Sequence, residues 1–241
     1  MAYGAIFFYA NVINDSPDEL DESDLDAALE ATTTVVEASA PSPVVTDTRS
    51  IEPSPGGTAA DPTGGAQAGF DGDWVPTDAS EFGYRVEEVL AGVNTTAVGR
   101  SNEIDGLLTV DGTTVPVVEI EVQVATITSD QSRRDGQFSG RIMSADEFPA
   151  ATFSLTQPIE LGSIPADGEQ VTATATGNLT LRGVTNEVTF DVTAQAGDGR
   201  IGVLGNIPVL FGDYGIENPS FGQVKTEDNG LVEFVLVFER A

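Results

Sequence analysis

Apolar and polar residues alternate along much of the second half of this chain. Val118 to Val124 reads apolar, acid, apolar, acid, apolar, polar, apolar without a break. Val171, Ala173, Ala175, Leu179 and Leu181 alternate with Thr172, Thr174, Thr176, Asn178 and Thr180. Val184, Val188, Phe190 and Val192 alternate with Thr185, Glu187, Thr189 and Asp191, and Val232, Phe234, Leu236 and Phe238 close the chain, with Glu233 and Glu239 on the other face. A period of two puts one dry and one wet face on each strand. Turn signals separate the runs: Asp111-Gly112, Asp167-Gly168, Arg182-Gly183, Gly197-Asp198-Gly199 and Asp228-Asn229-Gly230. Ser132 to Glu147 breaks the period and predicts a short helical insertion across one end.

Amphipathic strands joined by hairpins predict a sandwich or a closed barrel. Closure removes edge strands and encloses a space. Small inward residues, Ala173, Ala175 and Gly177, leave part of that space unfilled.

The pattern starts near Asp73, and the chain divides there. Residues 1–13 include the apolar, aromatic run Ala2 to Ile13, too short for a spanning helix, which needs roughly 20 apolar residues. With Phe7, Phe8 and Tyr9 at the interface level, the run is expected to be the outer end of a membrane anchor or signal segment whose start lies upstream. Residues 14–71 are rich in acids, have one base (Arg49), and carry Pro at 17, 41, 43, 53, 55 and 62. Such a segment buries too little apolar area to offset its ordering entropy and is expected to be a disordered tether, with a weak helix from Ser23 to Glu37. Residues 72–241 form the folded domain.

Composition narrows the chemistry. The chain has no Cys and no His, which removes disulfides, thiolates, imidazole metal sites and the commonest general base near neutral pH. A net charge of −29 repels nucleic acid and anionic membrane surfaces. Carboxylate pairs such as Glu87-Glu88, Asp146-Glu147 and Glu227-Asp228 are expected by chance in so acidic a chain, and neighbours on a strand point to opposite faces. No P-loop, dinucleotide fingerprint or nucleophile elbow is present, so neither a catalytic residue nor a cofactor or metal is assigned.

Four motifs in order carry a family resemblance. Gly177 to Phe190, GNLTLRGVTNEVTF, resembles the "G-x-L-T-x-x-G-V-T" hairpin of YceI-like proteins. Arg134-Asp135-Gly136-Gln137-Phe138 resembles the family's "R-D-x-x-L", Phe148 to Phe153 its "F-P-x-x-x-F", and Asp213-Tyr214-Gly215-Ile216 its late "D-F-G-I". The resemblance covers residues 72 to 241. It implies an all-β, eight-stranded antiparallel, lipocalin-like β-barrel, exported from the cytoplasm, holding an apolar small molecule such as a polyisoprenoid lipid. Two positions depart from the family: Gln137 stands where His is frequent, and Phe211-Gly212 where Arg is frequent. If those positions meet a ligand head group, the departures point to a different or uncharged head.

On this reading the lumen is lined by Phe82, Tyr84, Val122, Val124, Phe138, Ile142, Met143, Phe148, Phe153, Ala175, Leu179, Leu181, Val188, Phe190, Tyr214, Phe234 and Phe238. Arg133 and Arg134, with Arg141 nearby, are the head-group candidates, although an adjacent Arg134 and Asp135 in a loop also suits simple turn fixing. The expected function is an extracytoplasmic carrier or sequestering protein rather than an enzyme. A filled barrel that acts through its loops and, last, a carboxylate hydrolase are the alternatives.

Overall fold

A computed structural model describes residues 16–31 and 69–241. The expected anchor (1–13) and most of the expected tether (32–68) lie outside the described residues.

Thirteen strands form one sheet: β1 (Gly72–Pro76), β2 (Glu81–Leu90), β3 (Val93–Ser101), β4 (Ile104–Asp111), β5 (Thr114–Gln123), β6 (Thr128–Ser129), β7 (Ala150–Gln157), β8 (Ile159–Glu160), β9 (Gln170–Leu181), β10 (Val184–Gly197), β11 (Arg200–Leu210), β12 (Val224–Thr226) and β13 (Asn229–Arg240). The hydrogen-bonded ring runs β1, β4, β5, β7, β9, β10, β11, β13 and back to β1, with every pairing antiparallel. This is a closed eight-stranded antiparallel barrel, as the resemblance implied, and of the two architectures that alternation allowed it is the barrel.

β1 and β2 lie end to end along β13. Trp74 pairs with Arg240 and Pro76 with Phe238; after an interruption Glu81 pairs with Val235 and Tyr84 with Val232. Four residues, Thr77 to Ser80, therefore face two on β13, and such an excess bends a strand. Ser80 repairs the ladder there. Its buried hydroxyl donates to the Val237 carbonyl (3.1 Å) and accepts from the Val237 N–H (2.9 Å). Beyond the bend β2 pairs with β3 and β12 and leaves β1 to close the ring, so the β2–β3 hairpin projects at one end of the barrel.

That end, the mouth, carries the turns at Ala91–Gly92, Arg182–Gly183 and Phe211–Gly215. The base carries those at Asp111–Gly112, Gly162, Gly168 and Asp198–Gly199. The predicted insertion crosses the mouth as α2 (Ser132–Gln137), running on into a π-helical turn, Phe138–Ile142, closed by the Met143 N–H to the Phe138 carbonyl (2.8 Å).

The segment before the barrel corrects an expectation. Residues 16–31 are not a free tether. Glu22–Ala31 form a helix, α1, that lies on the outer wall of β11 and β13. Leu20, Leu25 and Leu29 are 3%, 0% and 5% exposed and pack on Leu204, Val235 and Val237. Asp21 caps the helix, its Oδ1 accepting from the Ser23 N–H at 2.7 Å. The acids of this segment face water while its three leucines meet the wall, so an acid-rich composition did not prevent docking. The predicted continuation to Glu37 lies outside the described residues.

The stretch leading into α1 also covers a buried charge. Glu233, fully buried on the outer wall, accepts from Arg85 Nε (3.1 Å) on one oxygen and from Arg100 Nε (3.1 Å) and Nη2 (2.8 Å) on the other. The same arginines donate onward to the carbonyls of Pro17 (2.8 Å) and Asp18 (2.7 Å). Ser16 Oγ hydrogen-bonds to the Thr96 carbonyl, Asn206 donates to Glu19 (3.1 Å), and Arg200 donates to the Leu29 carbonyl (3.3 Å).

Candidate functional site

The inward faces of the strands enclose two adjoining spaces. The space at the base has a volume of about 110 Å³ and is lined by apolar side chains apart from Thr152 and Gln195. The space at the mouth has about 490 Å³, within the ~300–1,000 Å³ of small-molecule sites. Phe82 and Ala151 line both. The lumen is therefore not filled by its own side chains.

Aromatic rings shape it. Phe153, Phe190 and Phe234 form an edge-to-face chain with centroids 5.5 and 6.2 Å apart. Two rings lie over the neighbouring strand because glycine leaves room there: a Cβ at Gly177 would sit 2.5 Å from Phe153, and one at Gly205 2.4 Å from Phe234. Gly177, expected to leave space, in fact gives it to a ring. At the mouth Tyr84 stacks on Phe138 with centroids 4.4 Å apart.

Most residues assigned to the lumen do line these spaces, Phe82 lining both. Val122, Phe153, Ala175, Leu179, Phe190, Phe234 and Phe238 line the base space, and Tyr84, Val124, Phe138, Ile142, Met143 and Leu181 the mouth space. Three line neither. Phe148 packs over Gly183, where a Cβ would meet its ring at 2.5 Å. Val188 packs into the core opposite Gly177. Tyr214, 3% exposed, belongs to the turn Phe211–Tyr214 and is enclosed in the core behind the lining. Both the β9–β10 hairpin and this turn close over the wall, so side chains there pack against protein. Sequence reasoning did not assign Val86, Leu90, Ala97, Val209, Phe211, Ile216 and Phe221 to the mouth. Val86, Leu90 and Ala97 sit on the inward face of the β2–β3 hairpin, at the even spacing from Phe82 and Tyr84 that would have found Val86 and Leu90.

The polar groups of the mouth are Glu88, Thr95, Gln131, Arg133, Arg134, Gln137, Gln223 and Thr226. Arg134 lies 3.5 Å from Glu88 and also pairs with Asp130. Its charge is already met by two carboxylates. Asp135 does local work, accepting from the Ser129 N–H (2.8 Å) and hydroxyl (2.6 Å). Arg141 is exposed and donates to the Pro219 carbonyl (2.9 Å). Arg133 lines the mouth with its side chain toward water. The three arginines of this segment are thus brought to one end without converging on one point.

Burial sets the electrostatics. It holds the Glu88 carboxyl above its usual range, against the opposing pull of Arg134. It likewise raises the Tyr84 phenol well above the ordinary tyrosine value. Burial thus works against the charged form of both groups, and for Glu88 the ion pair with Arg134 works the other way. Glu87, its neighbour, points outward and is exposed, so the two glutamates do not form a converging pair.

A family profile described as the YceI-like domain matches residues 75–238. The chain is 30% identical over 128 residues to a UPF0312 protein of Pseudomonas paraeruginosa, covering 49% of this chain and 63% of that one, less than two thirds of the relative's length. It is 31% identical over 143 residues to a UPF0312 protein of Shewanella denitrificans, covering 54% and 71%. Among solved structures it resembles a polyisoprenoid binding domain from Saccharophagus degradans, with a TM-score of 0.58, 17% identity, and coverage of 70% of this chain and 98% of that one.

Proposed function

This chain belongs to the YceI-like family, and from that premise we propose that it is a non-catalytic, extracytoplasmic protein that carries or sequesters an apolar, isoprenoid-like lipid in its barrel. The observation that carries the reading is the unfilled lumen: an almost wholly apolar base space adjoining a larger mouth space. An apolar chain laid along it would gain about 25 cal/mol per Å² of surface removed from water. The similarity to a polyisoprenoid binding domain supports the same ligand class.

The mouth favours a head group that hydrogen-bonds but carries no charge, such as an alcohol or a carbonyl. Arg134 is paired with Glu88 and Asp130, and the other polar side chains there are Thr, Gln and the outward-turned Arg133. A phosphate would have to displace a carboxylate before meeting Arg134.

The test is an organic extract of protein purified from its native host, read by mass spectrometry, together with binding of a fluorescent polyprenol. Ala175 is 2% exposed and lines the base space, so Ala175→Trp should shorten the chain the lumen accepts. No extracted lipid and no polyprenol binding by the unmodified chain would remove this function.

A further inference from the structure

The docked segment fixes where the two ends of its chain emerge. It runs lengthwise down the barrel wall. Ser16 is bonded to Thr96 on the outer face of the β2–β3 hairpin, which forms part of the mouth. At the other end Leu29 lies against Gly197 and Gly202, and Arg200 bonds its carbonyl, beside the base turn Asp198–Gly199. The barrel is re-entered at the base, where the Gly69 carbonyl bonds to Arg240 and Phe70 stacks on Trp74 with centroids 5.9 Å apart. The described residues on either side of 32–68 therefore both lie at the base, while Ser16 lies at the mouth. What precedes the segment is the apolar run Ala2 to Ile13. Three residue steps join Ile13 to Ser16, a reach of about 10 Å.

The mouth is also where apolar side chains stand in water. Of the four large hydrophobic residues exposed among the described residues, Leu210 (58%), Phe221 (60%) and Val184 (37%) lie at this end, and Ile164 (36%) at the base. Phe221 lines the opening itself. Leu210 continues the outward face of β11 that α1 covers at Gly202 and Leu204, past the point where the cover stops. Exposed apolar side chains scattered singly need no explanation, but a group at the rim of an apolar opening marks a contact site. The exposed acids Asp213, Glu217 and Glu227 stand at this end beside the exposed bases Arg133, Arg141 and Lys225, so the rim carries both signs of charge and the contact is carried by its apolar side chains.

We propose that the barrel sits mouth-down on a lipid bilayer: the docked segment begins at Ser16, beside the opening and three residue steps from the apolar Ile13, and Leu210, Phe221 and Val184 enter the boundary between headgroups and acyl chains. A lipid could then pass between bilayer and lumen without crossing water. The inference rests on the proposed lipid-binding function for its purpose, but not for its geometry.

The chain has no Cys, so one introduced thiol carries one label. Phe221→Cys and Ser163→Cys in the full chain, each bearing an environment-sensitive nitrobenzoxadiazole dye, are mixed with phosphatidylcholine vesicles. A blue shift at 221 with none at 163 is expected. No shift at 221, or a larger one at 163, overturns the orientation. In a second measurement, Leu210→Ser with Val184→Ser, neither of which lines the lumen, should slow uptake of fluorescent polyprenol from vesicles about tenfold while leaving its affinity in detergent solution unchanged. An unchanged uptake rate overturns the role of the rim. Absence of polyprenol binding in solution by the unmodified chain strikes the proposed function instead and leaves the label test to decide the orientation.

Discussion

Gly202 has no side chain at the place where Leu25 meets the barrel wall: a Cβ on Gly202 would lie 2.6 Å from Leu25 Cδ1 and 3.0 Å from Leu29 Cδ1. A position on the outer face of β11 is thus left empty to seat a helix from outside the barrel. Leu25→Ala would vacate a fully buried site and should cost ~2–4 kcal/mol. Gly202→Leu should push the helix off the wall, and removal of residues 1–31 should expose Leu204, Val235 and Val237 together. Chemical denaturation should show a lower midpoint for all three variants. A midpoint unchanged by the deletion would mean that the helix contributes nothing to the barrel.

Glu233 is held between Arg85 and Arg100 under the same segment. Replacing one partner of a buried ion pair leaves the other charge uncompensated, at ~3–5 kcal/mol. The two arginine side chains keep 13% and 16% exposure, so water softens the loss and the lower end of that range is expected for Glu233→Ala. Glu233→Gln keeps one of the two acceptor oxygens and should cost less. Equal stability of Glu233→Ala and the unmodified protein in urea would show that the cluster is not structural.

How far these features could be read from the sequence depends on what each one answers to. Alternation answers to the barrel's own faces, so the inward placing of Ile120, Val122, Leu179, Phe190 and Phe234 was legible. The run Val232 to Phe238 broke that logic. Its outward members Val235 and Val237 are apolar because α1 covers them, and a partner more than 200 residues away in sequence leaves no mark on a local period. A trace did exist: Leu25 and Leu29 stand at i and i+4 behind the cap Asp21. It was outweighed by the surrounding acids, which say only that one face is wet. At the mouth the even spacing from Phe82 and Tyr84 to Val86 and Leu90 was readable, but Phe211, Ile216 and Phe221 sit in turns, where no period applies. The pairing of Arg134 with Glu88, 46 residues apart, required the topology that brings α2 over the β2–β3 hairpin.

Paired arginine predicts the choice of head group. Arg134 offers no free charge, so polyprenyl phosphate should bind no more tightly than the matching polyprenol. Glu88→Gln with Asp130→Asn would release the guanidinium and should shift preference toward the phosphate, by about tenfold for each 1.4 kcal/mol that its charge-assisted hydrogen bonds to the phosphate contribute. Competition between the two ligands for one fluorescent probe measures this. A marked preference of the unmodified protein for the phosphate would show that Arg134 exchanges its carboxylates for ligand.

Glu88 makes binding depend on pH. Its folded-state pKa is raised above 4.5, first by burial, with Arg134 and Thr95 opposing and Asp130 assisting. A group whose pKa is higher folded than unfolded holds extra protons in the folded state between those two values. Stability from this group is therefore fully present below the unfolded value and declines as pH rises through the folded one. An apolar ligand over the mouth removes further water from the carboxyl and raises its pKa again, so the complex holds its proton more firmly than the free barrel. Affinity for polyprenol should fall as pH climbs above the ordinary glutamate value, by at most about tenfold per unit because one proton is involved. Repulsion among the other acids also changes over this range, and the control for it is Glu88→Gln, which keeps an acceptor for Arg134 and has no proton to lose. The variant should bind with a flatter pH profile and more tightly than the unmodified chain at the alkaline end of that profile. Parallel profiles for the two proteins would place the pH dependence elsewhere and show that no ligand covers Glu88.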